Sequence, residues 1–181
     1  MQRLLIFLTL SFAVLLSACA TDYVPSKKGK VKIKNPAALS NVGAISLINS
    51  QPNDKSVRIG SLLNFGSPHA NYHEWTDIVI YHTKKALKDL GLQVAPEGNK
   101  VLKLKVVNIH VRDGEHIGLL PIIRPSCKVE LEVKTDLGYE QRYKVKGKTF
   151  YAGWKAACDK AILKAVEVML KDDHIISYLN N

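Results

Sequence analysis

The stretch Cys127-Lys128-Val129-Glu130-Leu131-Glu132-Val133-Lys134 decides the fold. Apolar and charged residues alternate without a break. A β-strand sends successive side chains to opposite faces, and a helix does not. The stretch therefore reads as a strand with one buried and one wet face, the habit of antiparallel sheets. Asp136-Leu137-Gly138 follows as a hairpin turn, and Tyr143 and Val145 then alternate with Lys144 and Lys146. Upstream, Leu102, Leu104 and Val106 alternate with Lys103 and Lys105. The apolar register then moves to Val107, Ile109 and Val111, which predicts a β-bulge near Val106-Val107. These three strands form an antiparallel meander. Glu130 and Glu132 would stand between two lysine-bearing strands, in a ladder of cross-strand pairs that stabilises a surface.

Outside the meander the period changes from two to 3.6. Asn71-x-x-Glu74 has the form of a capping box. Trp75, Ile78, Val79, His82, Ala86 and Leu90 share one helical face, Lys84, Lys85 and Lys88 the other, and Gly91 closes the helix. A second helix is expected from about Ala152 to Lys171. Its stripe of Trp154, Ala157, Cys158, Ala161, Ile162, Ala165, Val168 and Met169 is rich in alanine, which permits close approach to a sheet. Asp172-Asp173-His174 ends it, and Ile175 to Leu179 is an apolar tail that tucks back. Val42 to Ile48 is a central strand, and Ser56 to Gly60 and Leu92 to Ala95 are short ones. The expected class is α+β: a mostly antiparallel sheet with two long helices packed on one face.

The N-terminus has a different logic. Arg3 precedes an apolar run from Leu4 to Leu16, and the small pair Ser17-Ala18 leads to Cys19. A charged start, a short apolar core and small residues make a signal-peptide pattern, and the run falls short of the ~20 residues of a membrane-spanning helix. Leu16-Ser17-Ala18-Cys19 resembles the lipobox of bacterial lipoproteins, in which the cysteine carries the lipid; the alternative is ordinary cleavage beside an incidental cysteine. The resemblance implies that residues 1–18 are removed and that Cys19 bears palmitate-type acyl chains, which anchor stably when two or more are present. Residues 19–30 would form a lipidated tether reaching roughly 35–40 Å, and 31–181 a single periplasmic domain. By resemblance to enteric lipoproteins, Ala20 in place of an aspartate implies the outer membrane.

Lys and Arg number 26 against 16 Asp and Glu, a net charge of +10. Residues 1–18 hold only Arg3 of these. Export excludes nucleic acid, so the charge implies either an anionic envelope partner or simply a solvated lysine surface. Lys27, Lys28, Lys30, Lys32 and Lys34 concentrate it close to the expected anchor, where they would meet anionic headgroups or form a solvated linker.

The sequence carries no nucleophile elbow, phosphate loop or zinc-protease signature, so an enzyme, a cofactor and a metal are not expected. His69, His73 and Asp77 lie near one helix start without the further ligands a metal needs, and read as a helix entrance. His82, on the apolar stripe, reads as a packed core residue. The loop Ile117 to Ile123 is apolar and longer than its strands require. It either folds over the core or offers Leu119, Leu120 and Ile122 to a partner or bilayer. Cys127 and Cys158 both lie on apolar faces that would meet if the last helix packs on the meander. In an oxidising compartment they form a disulfide; the alternative is two buried thiols.

Two stretches, Ala86-Leu-Lys-Asp-Leu-Gly-Leu-Gln-Val-Ala-Pro-Glu-Gly-Asn99 and Ala161 to Leu179, together with the lipobox and Ile45-Ser-Leu-Ile-Asn-Ser50, resemble the YajG-like bacterial lipoproteins. The layout also resembles the amino-terminal domain of TolB. The YajG-like resemblance implies a periplasmic α/β domain without assigned chemistry. The functional expectation is a noncatalytic outer-membrane lipoprotein that binds or assists another envelope component, a protein or an anionic material. The alternative is an accessory carrier holding a lipid or glycan between helices and sheet. The oligomeric state is left open.

Overall fold

The computed structural model describes residues 22–33, 43–53, 56–61, 67–112, 125–150 and 152–181. The meander is its frame: β5 (Lys100–Arg112), β6 (Ser126–Thr135) and β7 (Glu140–Lys148) are antiparallel neighbours. The register slips between Val106 and Asn108, where the change of apolar phase predicts a bulge. On the charged face, Arg142 binds the buried Glu132 at 2.7 Å, Lys134 binds Glu140 at 2.9 Å, and Lys144 stands 3.7 Å from Glu130.

The sheet is mixed: the antiparallel pairings of the meander make up most of it, as expected, and shorter parallel pairings join it along β5. Strand β1 (Ile45–Asn49) pairs parallel with β5 from Lys100 to Leu104, and the two-residue β3 (Gly60–Ser61) pairs parallel with its far end at Val111 and Arg112. The reason is connectivity. Helix α1 (Tyr72–Asp89) lies between β1 and β5 in the chain, and a helical crossover returns the next strand parallel to the first. The two-residue strands β2 (Val57–Arg58) and β4 (His69–Ala70) form a small separate ribbon. The segment after Gly91 meets Ile45 through an isolated bridge at Val94.

Between the end of β1 and the start of β3, the edge of β5 is covered by α1. Val106 N–H donates to the Thr76 hydroxyl at 3.0 Å, and Ile109 N–H to the Tyr72 hydroxyl at 3.1 Å. Two buried backbone donors are thereby satisfied by side chains. Helix α1 starts on Asn71, whose side chain accepts from His73 N–H and Glu74 N–H, and Gly91 follows it in the left-handed region at φ +79°.

Helix α2 (Gly153–Met169) packs on the same face of the sheet, against β6 and β7. Its alanines bring it very close. A Cβ placed on Gly147 of β7 would lie 1.9 Å from the Ala157 carbonyl oxygen. One strand away, Cys127 of β6 and Cys158 of α2 are joined in a disulfide with Cα atoms 4.9 Å apart.

The apolar tail forms a third helix, α3 (Asp173–Asn180). Asp172 is its cap, accepting from His174 N–H at 2.9 Å and Ile175 N–H at 3.3 Å. The same carboxylate accepts from the Tyr143 hydroxyl at 2.8 Å and the Tyr139 hydroxyl at 3.2 Å. At the other end of α3 the Tyr178 hydroxyl donates to Asp136 at 2.6 Å and accepts from Val101 N–H at 2.6 Å. Burial first, and the bond to Asp136 second, push that hydroxyl up to about 12.

Burial alone would raise the Asp172 carboxyl, but the bonds from Tyr143, Ile175, His174 and Tyr139 outweigh it and hold it below the usual range. A folded value below the unfolded one contributes stability that is complete above about pH 4 and is lost as pH falls further. Asp172→Ala removes a cap and two hydroxyl partners, for an expected loss of about 2–3 kcal/mol at pH 7. Urea unfolding at pH 7 and pH 3 checks this: the gap between wild type and variant narrows in acid.

Candidate functional site

Residues 22–33 are the unexpected element. The expected tether, 19–30, is corrected from Asp22 onward: this segment is a strap lying along α1 and α2. Asp22 forms a bridge with His69 of β4 and accepts from the Ser56 hydroxyl, and Tyr23 N–H donates to the His69 carbonyl at 3.0 Å. The strap then follows both helices from their first turns toward their last. Tyr23 sits beside Trp75 and Trp154, near the two helix starts, whereas Lys30 pairs with Asp89 at 3.3 Å and Gly29 lies against Leu163.

Asp159 of α2 is the main fastener. One of its oxygens accepts from the Tyr23 hydroxyl at 2.8 Å and from Ser26 N–H at 2.8 Å. The Tyr23 ring meets Trp75 and Trp154 edge-on at 5.8 and 4.8 Å, with the Lys155 ammonium 5.6 Å from its centre. Trp75 Nε1–H donates to the Tyr23 carbonyl at 2.7 Å. Burial, then the bond to Asp159, raise the Tyr23 hydroxyl far above its ordinary value, so it stays protonated and donating. Pro25 and Val31 are buried. Gly29 has φ +102°, and a Cβ there would lie 2.7 Å from Leu163. Only glycine takes that backbone without strain.

His82 of α1 reads the strap from below. Its Nε2 lies 3.0 Å from the Ser26 carbonyl, so Nε2 carries the proton, and its Nδ1 is buried without a partner among the described residues. Burial is the main cause holding its pKa below the ordinary value; Lys85 adds to this, and the Ser26 bond and Asp159 oppose it. A lowered folded value stabilises the neutral form. That contribution is complete above about pH 6.5 and is lost as pH falls through that value toward the folded one. The wild-type urea midpoint is therefore expected to drop between about pH 7.5 and 5.5, and the slope to flatten in His82→Gln, which keeps a donor for Ser26.

Beyond Gly29 the strap and α2 enclose an open groove of about 520 Å³ lined by Lys30, Lys32, Lys160, Lys164, Lys171 and Glu167, with Leu163 and Val168 as its apolar part. Glu167 is paired with Lys171.

The other expected site residues fall as follows. His73 Nδ1 lies 2.7 Å from the Gln51 carbonyl, and Nε2 3.8 Å from Asp77, which fits a helix entrance. Among the described residues no group of three or more His, Cys, Asp and Glu is placed to hold a metal ion, and no helix is long and apolar enough to cross a membrane. Residues 1–18, Cys19, and the loop residues Leu119, Leu120 and Ile122 lie outside the described residues. The strap was missed because residues 22–30 are mostly polar. The signal that could have found it is Tyr23 and Pro25 within that run, continued by Val31 and Ile33.

No family model and no curated protein matches the chain. Among solved structures it is similar to protein XCC0632 from Xanthomonas campestris, described under the family model DUF330. The identity is 16%, the TM-score 0.58, and the match covers 87% of this chain and 96% of that one. At that identity the likeness is one of fold.

Proposed function

We propose that this chain is a noncatalytic lipoprotein of the outer membrane, anchored through Cys19, whose periplasmic domain binds or assists another component of the envelope. One observation carries the reading: the strap docks at Asp22, three residues after Cys19. Three residues span at most roughly 10 Å. An anchor there holds the helical layer against the membrane instead of letting the domain roam on a long tether. A fixed height and orientation suit a part that meets a neighbour in the same membrane.

The YajG-like pattern and the lipobox support the same assignment. The space where the alternative would hold a lipid or glycan is filled by Trp75, Ile78, Leu102, Leu104, Ile162 and Met169. The expected result for Cys19→Ser is release of the domain from the membrane fraction on cell fractionation and blotting. A variant that remains in the outer membrane as tightly as wild type overturns the anchored reading.

A further inference from the structure

We infer that the lysine groove between the strap and α2 is a docking surface for anionic phospholipid headgroups. Five ammonium groups line it against one carboxylate, and that carboxylate is already paired with Lys171. Lys160 and Lys164, four apart on α2, share one side of the helix, and Lys171 follows in the turn just past its end. Lys30 and Lys32 add a second row from the strap. Lys30 also pairs with Asp89, but that pair is exposed and worth little.

The chemistry favours a fluid array of phosphates over a single shaped ligand. Every cation is a lysine, a point charge on a flexible stem, and none is the rigid guanidinium fork that reads one anion geometry. The groove is open, and Val168, 37% exposed, stands among the lysines as an apolar contact at headgroup depth. Placement favours a bilayer over an acidic protein. Helix α2 is about 25 Å long, and the strap joins its first turns to the groove. The direction of approach rests on the anchored reading, in which the bilayer is the surface always present at high local concentration.

The test removes the anchor, so that its failure is distinct from failure of the anchored reading. Residues 19–181 carrying Cys19→Ser, without the apolar leader, are mixed with vesicles of phosphatidylcholine alone or with added phosphatidylglycerol. Binding is expected only to the anionic vesicles, and raising the salt is expected to release it. Each lysine near such a surface contributes a roughly fivefold gain, so Lys32→Ser, Lys160→Ser and Lys164→Ser together weaken binding roughly 100-fold. The matching arginine triple keeps it, and both triples melt as wild type does. Equal binding to neutral vesicles, or a serine triple that binds like wild type, overturns the inference. Polyglutamate bound as tightly as the vesicles, with the same lysine dependence, also overturns it and assigns the groove to an acidic protein.

Discussion

Reduction of the Cys127–Cys158 disulfide is expected to lower the stability of the domain by about 3–4 kcal/mol. The bond links β6 to α2 across a separation of 31 residues, and both cysteines are buried. Loop-closure entropy for a segment of that length gives the stated figure, a chain-entropy estimate. Removal of the link loosens the unfolded chain more than it disturbs the folded one, because both sulfurs still fill their places in the core. Reduced wild type and the Cys127→Ala, Cys158→Ala double variant should therefore fall together, with the variant slightly lower for its lost volume. Urea midpoints of oxidised, reduced and variant protein decide this. Mass after alkylation without reductant reads the bond itself: alkylation at both cysteines of the denatured protein would show that they were free thiols.

Gly147→Ala is expected to be strongly destabilising for the addition of a single methyl group. The new methyl would lie 1.9 Å from the Ala157 carbonyl oxygen, 2.7 Å from the Ala161 amide nitrogen and 3.1 Å from the Ala157 carbonyl carbon. All three are backbone atoms, so no side chain can turn aside and the whole of α2 must lift from β7. The displacement also strains the nearby disulfide, since Gly147 is the register partner of Cys127. An expected loss of ~3 kcal/mol or more lies at the upper end of overpacking effects. Thermal and urea unfolding measure it. A variant within ~1 kcal/mol of wild type would mean that helix and strand are not packed at this distance.

Much of the frame was legible because its signals are local. Period-two alternation marks β5, β6 and β7. The change of phase after Val106 marks the bulge, Asn71 marks the start of α1, and the alanines at 157, 161 and 165 mark the face that meets the sheet. The disulfide partners could be paired because each cysteine is in phase with its own element's apolar residues.

The remainder depends on contacts that no local pattern contains. The parallel pairings of β1 and β3 with β5 arise from a crossover, and β3 is too short to show a period. Helix α3 was hidden because Asp172 looks like a stop to the preceding helix, while its carboxylate begins the next one. The strap was hidden for the same kind of reason. Tyr23 and Ser26 find Asp159 more than 130 residues away, and Trp75 and His82 about 50 residues away. The lysines that made this segment resemble a solvated linker point outward, and the residues that seat it are few.

The clamped strap is the central claim, and amide hydrogen exchange tests it residue by residue. Tyr23 N–H donates to the His69 carbonyl and Ser26 N–H to Asp159, whereas Lys28 N–H reaches only the exposed Ser26 hydroxyl. The account predicts strong protection at Tyr23 and Ser26, little at Lys28, and loss of the Ser26 protection in Asp159→Ala while the amides of β6 keep theirs. Exchange at the free-chain rate at Tyr23 and Ser26 in the wild-type protein would contradict it, and the segment would then be a tether after all.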